Sequence, residues 1–202
     1  MNCKNFLAFL IVFLLGMMHA SSSLADSTDH EQIVGAWGFQ LMSRQPNFGA
    51  PTSVTAALTL SPTIGVRKWM GIDRGWDAGV TFGLRNANDT TDIGLGGEFG
   101  WLMGLSHYKH LNVFFEPSGG LFIFAPDQGD TAFELRVNAS LGAEIQLGMF
   151  DLSRVALTTR VTAGMNILND GKTTTIGLGT LGGTNNSIWN MLTGNIGFVI
   201  FI

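Results

Sequence analysis

The segment Ile196-Gly197-Phe198-Val199-Ile200-Phe201-Ile202 decides the fold. Ile196, Phe198, Ile200 and Ile202 place an apolar side chain at every second position as far as the carboxyl terminus. Successive side chains of a strand point to opposite faces, so this tail reads as a strand with one greasy face. A chain that ends inside a strand, without a polar tail, suggests a sheet that closes on itself. Upstream the same alternation recurs about every 15 to 20 residues, the rhythm of a membrane β-barrel.

Eight segments carry the alternation. The first, 33–43, sets Ile33, Trp37, Phe39 and Leu41 on one face. The second, 56–69, sets Leu58, Leu60, Ile64 and Val66 against Thr59, Ser61, Thr63, Gly65 and Arg67. The third, 76–86, opposes Trp76, Ala78, Val80, Phe82 and Leu84 to Asp77, Gly79, Thr81, Gly83 and Arg85. The fourth, 93–105, opposes Leu95, Phe99, Trp101 and Met103 to Gly94, Gly96, Glu98 and Gly100. The fifth, 111–124, is the least regular, because Phe114, Phe122 and Phe124 share the face of Glu116. Pro117 there lacks a ladder donor and calls for a bulge or an unpaired slot. The sixth, 132–147, is the clearest: Phe133, Leu135, Val137, Ala139, Leu141, Ala143, Ile145 and Leu147 alternate with Glu134, Arg136, Asn138, Ser140, Gly142, Glu144 and Gln146. The seventh is 154–168 and the eighth runs from about 188 to 202. A further weakly strand-like stretch, 173–181, reads as an outward extension of the last loop. A ninth wall strand would leave the two termini on opposite sides.

Residues 1–25 are set apart by Lys4, an apolar run from Phe6 to Met18 and the small-x-small triplet Ser23-Leu24-Ala25. They read as a cleaved secretory signal peptide, with Ala20 as the competing cleavage point. Residues 26–32 read as a short polar, periplasmic lead-in, and 33–202 as the barrel. The single cysteine, Cys3, lies in the leader, so no disulfide staples the rest. The remaining chain holds ten Lys and Arg against fifteen Asp and Glu, with no basic patch for nucleic acid. Only 13% of the chain is charged, against about 25% in soluble domains. That deficit fits an exterior that meets something other than water.

Alternation alone does not distinguish a membrane barrel from a soluble one with an apolar lumen. Segment length favours lipid outside, since globular strands usually have about 5 or 6 residues and a bilayer takes about 9 to 11. The polar face is rich in Gly, Ser, Thr and Asn, which fit the cramped interior of an eight-strand barrel. Trp76, Trp101, Tyr108 and Phe150 fall near segment ends, where aromatic rings favour the headgroup boundary. Long polar connections (44–54, 169–187) alternate with tight ones (70–75, 106–110, 148–153), as outer loops alternate with periplasmic turns.

With this orientation the inward face carries Arg67, Arg85, Arg136 and Arg160 beside Glu98, Glu116, Glu134 and Glu144. Charges in a narrow lumen are costly unless paired. An Arg–Glu network that plugs the lumen and fixes register is therefore expected, with a gated polar channel as the competing reading. Glu98 and Glu116 should repel unless an Arg such as Arg160 lies between them. Phe114, Phe122, Phe124, Trp189 and Met191 form a candidate apolar lumen pocket for carriage of small solutes. Catalysis has weak support. The histidines beyond the leader are His30, His107 and His110, and the adjacent Ser106 and His107 side chains should point apart. No metal site and no cofactor are expected.

Signal peptide, strand rhythm and the closing 196–202 strand resemble the small eight-stranded outer-membrane barrels, the group of the OmpA membrane domain, OmpX and OmpW. The resemblance spans the whole chain beyond the leader. Chains of that group usually end in Phe; here Phe201 is followed by Ile202. The resemblance implies an all-β, eight-stranded antiparallel up-and-down transmembrane β-barrel in a bacterial outer membrane. It implies lipid and lipopolysaccharide as surroundings, engagement of the barrel-assembly machinery by the C-terminal strand, and a monomer. The expected role is structural or surface-interacting, with loop 169–187 as the contact surface. A narrow channel or carrier and a lipid A-modifying enzyme are the alternatives.

Overall fold

The computed structural model describes residues 27–44, 62–87, 90–125, 130–169, 171–178 and 192–202. Residues 1–26 (the expected signal peptide among them), Trp189, Met191, most of loop 169–187 and the side chain of Arg85 lie outside the described residues. The described residues open with a helix, α1 (Asp29–Ile33), followed by β1 (Trp37–Arg44), β2 (Pro62–Gly71), β3 (Arg74–Ala87), β4 (Thr90–His107), β5 (Leu111–Ala125), β6 (Ala132–Leu147), β7 (Leu152–Asn169), β8 (Thr174–Leu178) and β9 (Leu192–Phe201).

Each strand from β1 to β7 pairs antiparallel with the next, and β9 closes the ring between β7 and β1. The result is a closed, eight-stranded antiparallel barrel. The extra strand β8 is not a full wall member. It pairs with Met165 to Asn169 at the C-terminal end of β7, whereas β9 takes Val155 to Ala163 on the same strand. The side chain of Asn169 accepts from the Gly171 backbone N–H at 2.9 Å, and Gly171 supplies the positive φ of the turn into β8.

Pro117 behaves as its missing N–H requires. It pairs with Ala139 of β6, but the β4–β5 ladder is broken opposite it, between Gly100↔Ser118 and Met103↔Phe115, without loss of register. One expectation is overturned at the amino terminus. Ile33 does not continue the outer face of β1; it ends α1 and is fully buried. Thr28 caps the helix by accepting from the Glu31 backbone N–H at 3.2 Å, and Gly35 at φ +87° breaks it from the strand. The alternation is therefore real only from Trp37 onward.

The faces sort cleanly. On β6, Leu135, Val137 and Leu141 are 48–55% exposed, whereas Arg136 is 4% exposed and Glu144 is fully buried. On β4, Ile93, Leu95, Phe99, Trp101, Met103 and Leu105 all point outward. Ile196, Phe198, Ile200 and Ile202 do the same on and just beyond β9, with Val199 and Phe201 turned inward. The interior is polar in its centre, and apolar where α1 closes the end.

Candidate functional site: the closed lumen

Side chains fill the lumen in layers. At the end that carries α1, an apolar layer joins Ile33, Trp69, Leu102, Phe114, Ala156, Val199 and Phe201. The helix sits across this mouth as a stopper. Its Asp29 N–H donates to Lys109 O at 2.9 Å, and Gly35 N–H just beyond it donates to Trp69 O at 2.8 Å. His30 Nε2 donates to Ile72 O at 3.0 Å, while His110 Nδ1 donates to Asp29 Oδ2 at 2.6 Å. The three described histidines, His30, His107 and His110, thus converge here, with the His107 ring stacked on His30 at 4.9 Å and its Nε2 donating to Asp73 Oδ1 at 3.0 Å. Residues expected to form a loose lead-in are instead part of the barrel's closure.

Above the apolar layer lies a belt of charge. Arg67 donates from Nη1 to Glu144 at 2.6 Å and from Nη2 to Asp77 at 2.9 Å. Arg160 donates from Nη1 to Glu116 at 2.6 Å and from Nη2 to the same Asp77 oxygen. Five side chains on β2, β3, β5, β6 and β7 are thereby joined across the lumen. The planar guanidinium fork makes this possible, since each Arg aims two donors at two carboxylates. Gln146 donates to the other oxygen of Glu144 at 3.1 Å, and Arg67 lies over the Phe114 ring at 5.2 Å. Gly100 has to be small, because a Cβ there would strike the Glu116 and Asp77 carboxylates.

Toward the opposite end the lumen continues through two hydroxyl pairs, Thr63–Thr81 at 2.7 Å and Ser140–Thr162 at 2.8 Å. A second charged group follows. Arg136 makes a two-pronged pair with Glu134 at 2.6 and 2.7 Å, Asn166 donates to Glu134 at 2.8 Å, and the guanidinium covers the Phe122 ring at 4.0 Å. Phe122 also packs with Phe124 and Ala132.

The sequence-derived residues therefore fall into separate places. Arg67, Arg160, Glu116 and Glu144 share the belt; Glu134 and Arg136 pair with each other nearer the end away from α1. Arg160 does reach Glu116, and Glu98 is half-buried with its backbone paired to Gly79 and Gly120. The side chain of Arg85 is outside the described set. Asp77, which accepts from both belt arginines, was missing from the expected network although its inward position was legible from alternation with Trp76 and Ala78. The proposed apolar pocket is divided. Phe114 belongs to the layer beneath the belt, eight residues from Phe122 and so about 27 Å along the strand. Trp189 and Met191 lie outside the described residues.

Among the described residues, no group of three or more His, Cys, Asp or Glu is arranged to hold a metal ion. On the outer surface, Trp37, Lys68, Trp76 and Trp101 occupy one continuous row of paired positions across β1 to β4. Lys68 Nζ lies 4.6 Å from the Trp37 ring centre, and Trp37 meets Trp76 edge to face at 5.6 Å. No family model and no curated relative matches the chain.

Proposed function

We propose that this protein is a non-conducting outer-membrane barrel whose role is structural or surface-interacting, exercised through its outer loops. The observation that carries the reading is the Arg67–Asp77–Arg160–Glu116 chain with its Glu144 branch, which ties five strands together through the lumen. A pore needs hydrated, mobile charge along its axis. Here each charge of the belt is paired with one of opposite sign, held in fixed geometry and backed by an apolar layer and a helix.

The membrane assignment draws on the exterior. On both β4 and β6 the outward apolar residues span thirteen positions, from Ile93 to Leu105 and from Phe133 to Ile145. The twelve steps between them cover about 40 Å of strand, or about 30 Å of height at a tilt of about 40°. That height is comparable to the hydrocarbon core of a bilayer, about 30 Å. The row of three tryptophans and Lys68 lies toward the helix-bearing end, where amphipathic rings and a lysine ammonium suit a lipid–water boundary. An outer-membrane barrel with both termini on the periplasmic side places this row at the inner leaflet and β8 at the cell surface.

Planar-bilayer recording on the refolded full chain is the test. The expected result is no sustained open current at low voltage. A steady open level would favour the channel reading and overturn this one.

A further inference from the structure

Among the described residues His30 is the one histidine wholly removed from solvent, and its surroundings fix its protonation state. A carbonyl can only accept, so the contact with Ile72 O requires a proton on Nε2. Nδ1 has no hydrogen-bond partner among the described residues. Around the ring stand the Trp69 edge at 4.5 Å, the stacked His107 ring, and the apolar layer that includes Ile33. A second proton would put a charge and an unpaired N–H into this packing. Such a burial is strongly unfavourable without a partner.

We propose that α1 is an acid-released stopper, with His30 as the group that must be neutral for the helix to stay seated in the barrel mouth.

The charged neighbours do not all act in one sense. Glu144 on β6 and Asp73 in the β2–β3 turn favour a protonated His30, whereas His107 on β4 opposes it. Burial is the largest influence and holds the imidazole below its ordinary value. On the helix itself, Asp29 faces His110, and Glu31 is exposed. Lys109 meets the helix through its backbone carbonyl. Protonated His110 would strengthen its contact with Asp29 and favour seating. That contact is part-buried, with side-chain exposures of 29% for His110 and 8% for Asp29, so it works against release. A fully buried ring with an orphaned Nδ1 outweighs it.

The sign follows from proton counting. Because the seated imidazole is held low, the released helix binds a proton that the seated one does not. Seating is at full strength above the ordinary histidine value of about 6.5 and weakens as pH falls through it. One linked proton corresponds to about tenfold in the seating equilibrium per pH unit within that window. Release would uncover the Trp69, Leu102 and Phe114 layer up to the charge belt, leaving the belt in place. Seating does not depend on whether the exterior meets lipid.

Hydrogen exchange of the full chain refolded in detergent micelles tests this. The Asp29 and Gly35 amides, which bond to Lys109 O and Trp69 O, should lose about ten- to thirtyfold in protection between pH 7.5 and 5.0 after correction for intrinsic rates. Amides of β6 should not change. His30→Gln, which retains a donor for Ile72 O, should flatten the dependence. Unchanged protection in the wild type, or an equal loss in His30→Gln, would overturn the proposal. Should His30→Gln fail to seat at pH 7.5, imidazole nitrogen resonances of the wild type decide. A His30 ring that carries its proton on Nε2 and titrates below the ordinary value supports the proposal. One that gains its second proton at or above that value while Asp29 and Gly35 stay protected refutes it.

Discussion

Replacing Arg67 with Met removes the donor that joins Glu144 to Asp77. The side chain is wholly buried, and its two terminal nitrogens contact carboxylates at 2.6 and 2.9 Å. Charge-assisted bonds of this kind contribute about 1.5–3 kcal/mol each. Removing one partner of a buried pair generally costs about 3–5 kcal/mol, because the other charge stays behind. Two contacts moderate the loss here, since Asp77 keeps Arg160 and Glu144 keeps Gln146. The expected destabilisation is therefore about 3 kcal/mol, at the lower end of that range. Reversible urea unfolding of protein refolded into short-chain phosphatidylcholine vesicles, followed by tryptophan fluorescence, would measure it. Arg74→Met, at an exposed position, is the control and should lie within about 0.5 kcal/mol of wild type. The double variant Arg67→Met with Glu144→Met should recover at least about 1 kcal/mol of the loss, because the stranded carboxylate is gone. A cost below about 1 kcal/mol for Arg67→Met alone would refute a belt that holds the barrel together.

Neighbouring glycines should respond in opposite ways. A Cβ at Gly96 would enter the Phe122 ring, so Gly96→Val should cost about 1–3 kcal/mol, while Gly97 faces open space and Gly97→Val should change stability by less than about 0.5 kcal/mol in the same unfolding assay. Val137→Arg, on the outer face of β6, should cost about 2–4 kcal/mol in vesicles if that face meets hydrocarbon, and near zero if it meets water. Deleting residues 27–36 should leave planar-bilayer conductance at baseline, because the belt lies above the stopper and does not include it; a new open level would make α1 the principal barrier.

Strand boundaries were the most legible part of the fold. On β6 the predicted range and the observed strand coincide at Ala132–Leu147, because period-two alternation with one face apolar leaves no other register. The inward charges Arg67, Glu116, Glu144 and Arg160 could be placed on one face by the same rule. Their partners could not, since adjacency around a barrel depends on strand stagger, which is set by closure rather than by any single segment. Asp77 falls on the inward face by the same alternation, but its place between the two arginines depends on the stagger. Phe114 and Phe122 share one face of β5 by alternation, but eight residues of strand, about 27 Å, hold them apart. The helix α1 was missed although Thr28, three residues before Glu31, has the form of a capping box and Gly35 follows as a breaker. Five helical residues hold no stable structure in water by themselves. What holds α1 is the mouth it fills, through contacts from Ile72, Lys109 and His110 that no local pattern announces.

Nitroxide accessibility along β6 in lipid vesicles tests most directly whether the apolar exterior faces hydrocarbon. Labels at positions 133, 135, 137, 139 and 141 should be open to oxygen and shielded from a water-soluble nickel chelate, with the strongest shielding near 139. Free access of the chelate to those five positions would contradict a lipid-facing exterior and the role proposed from it.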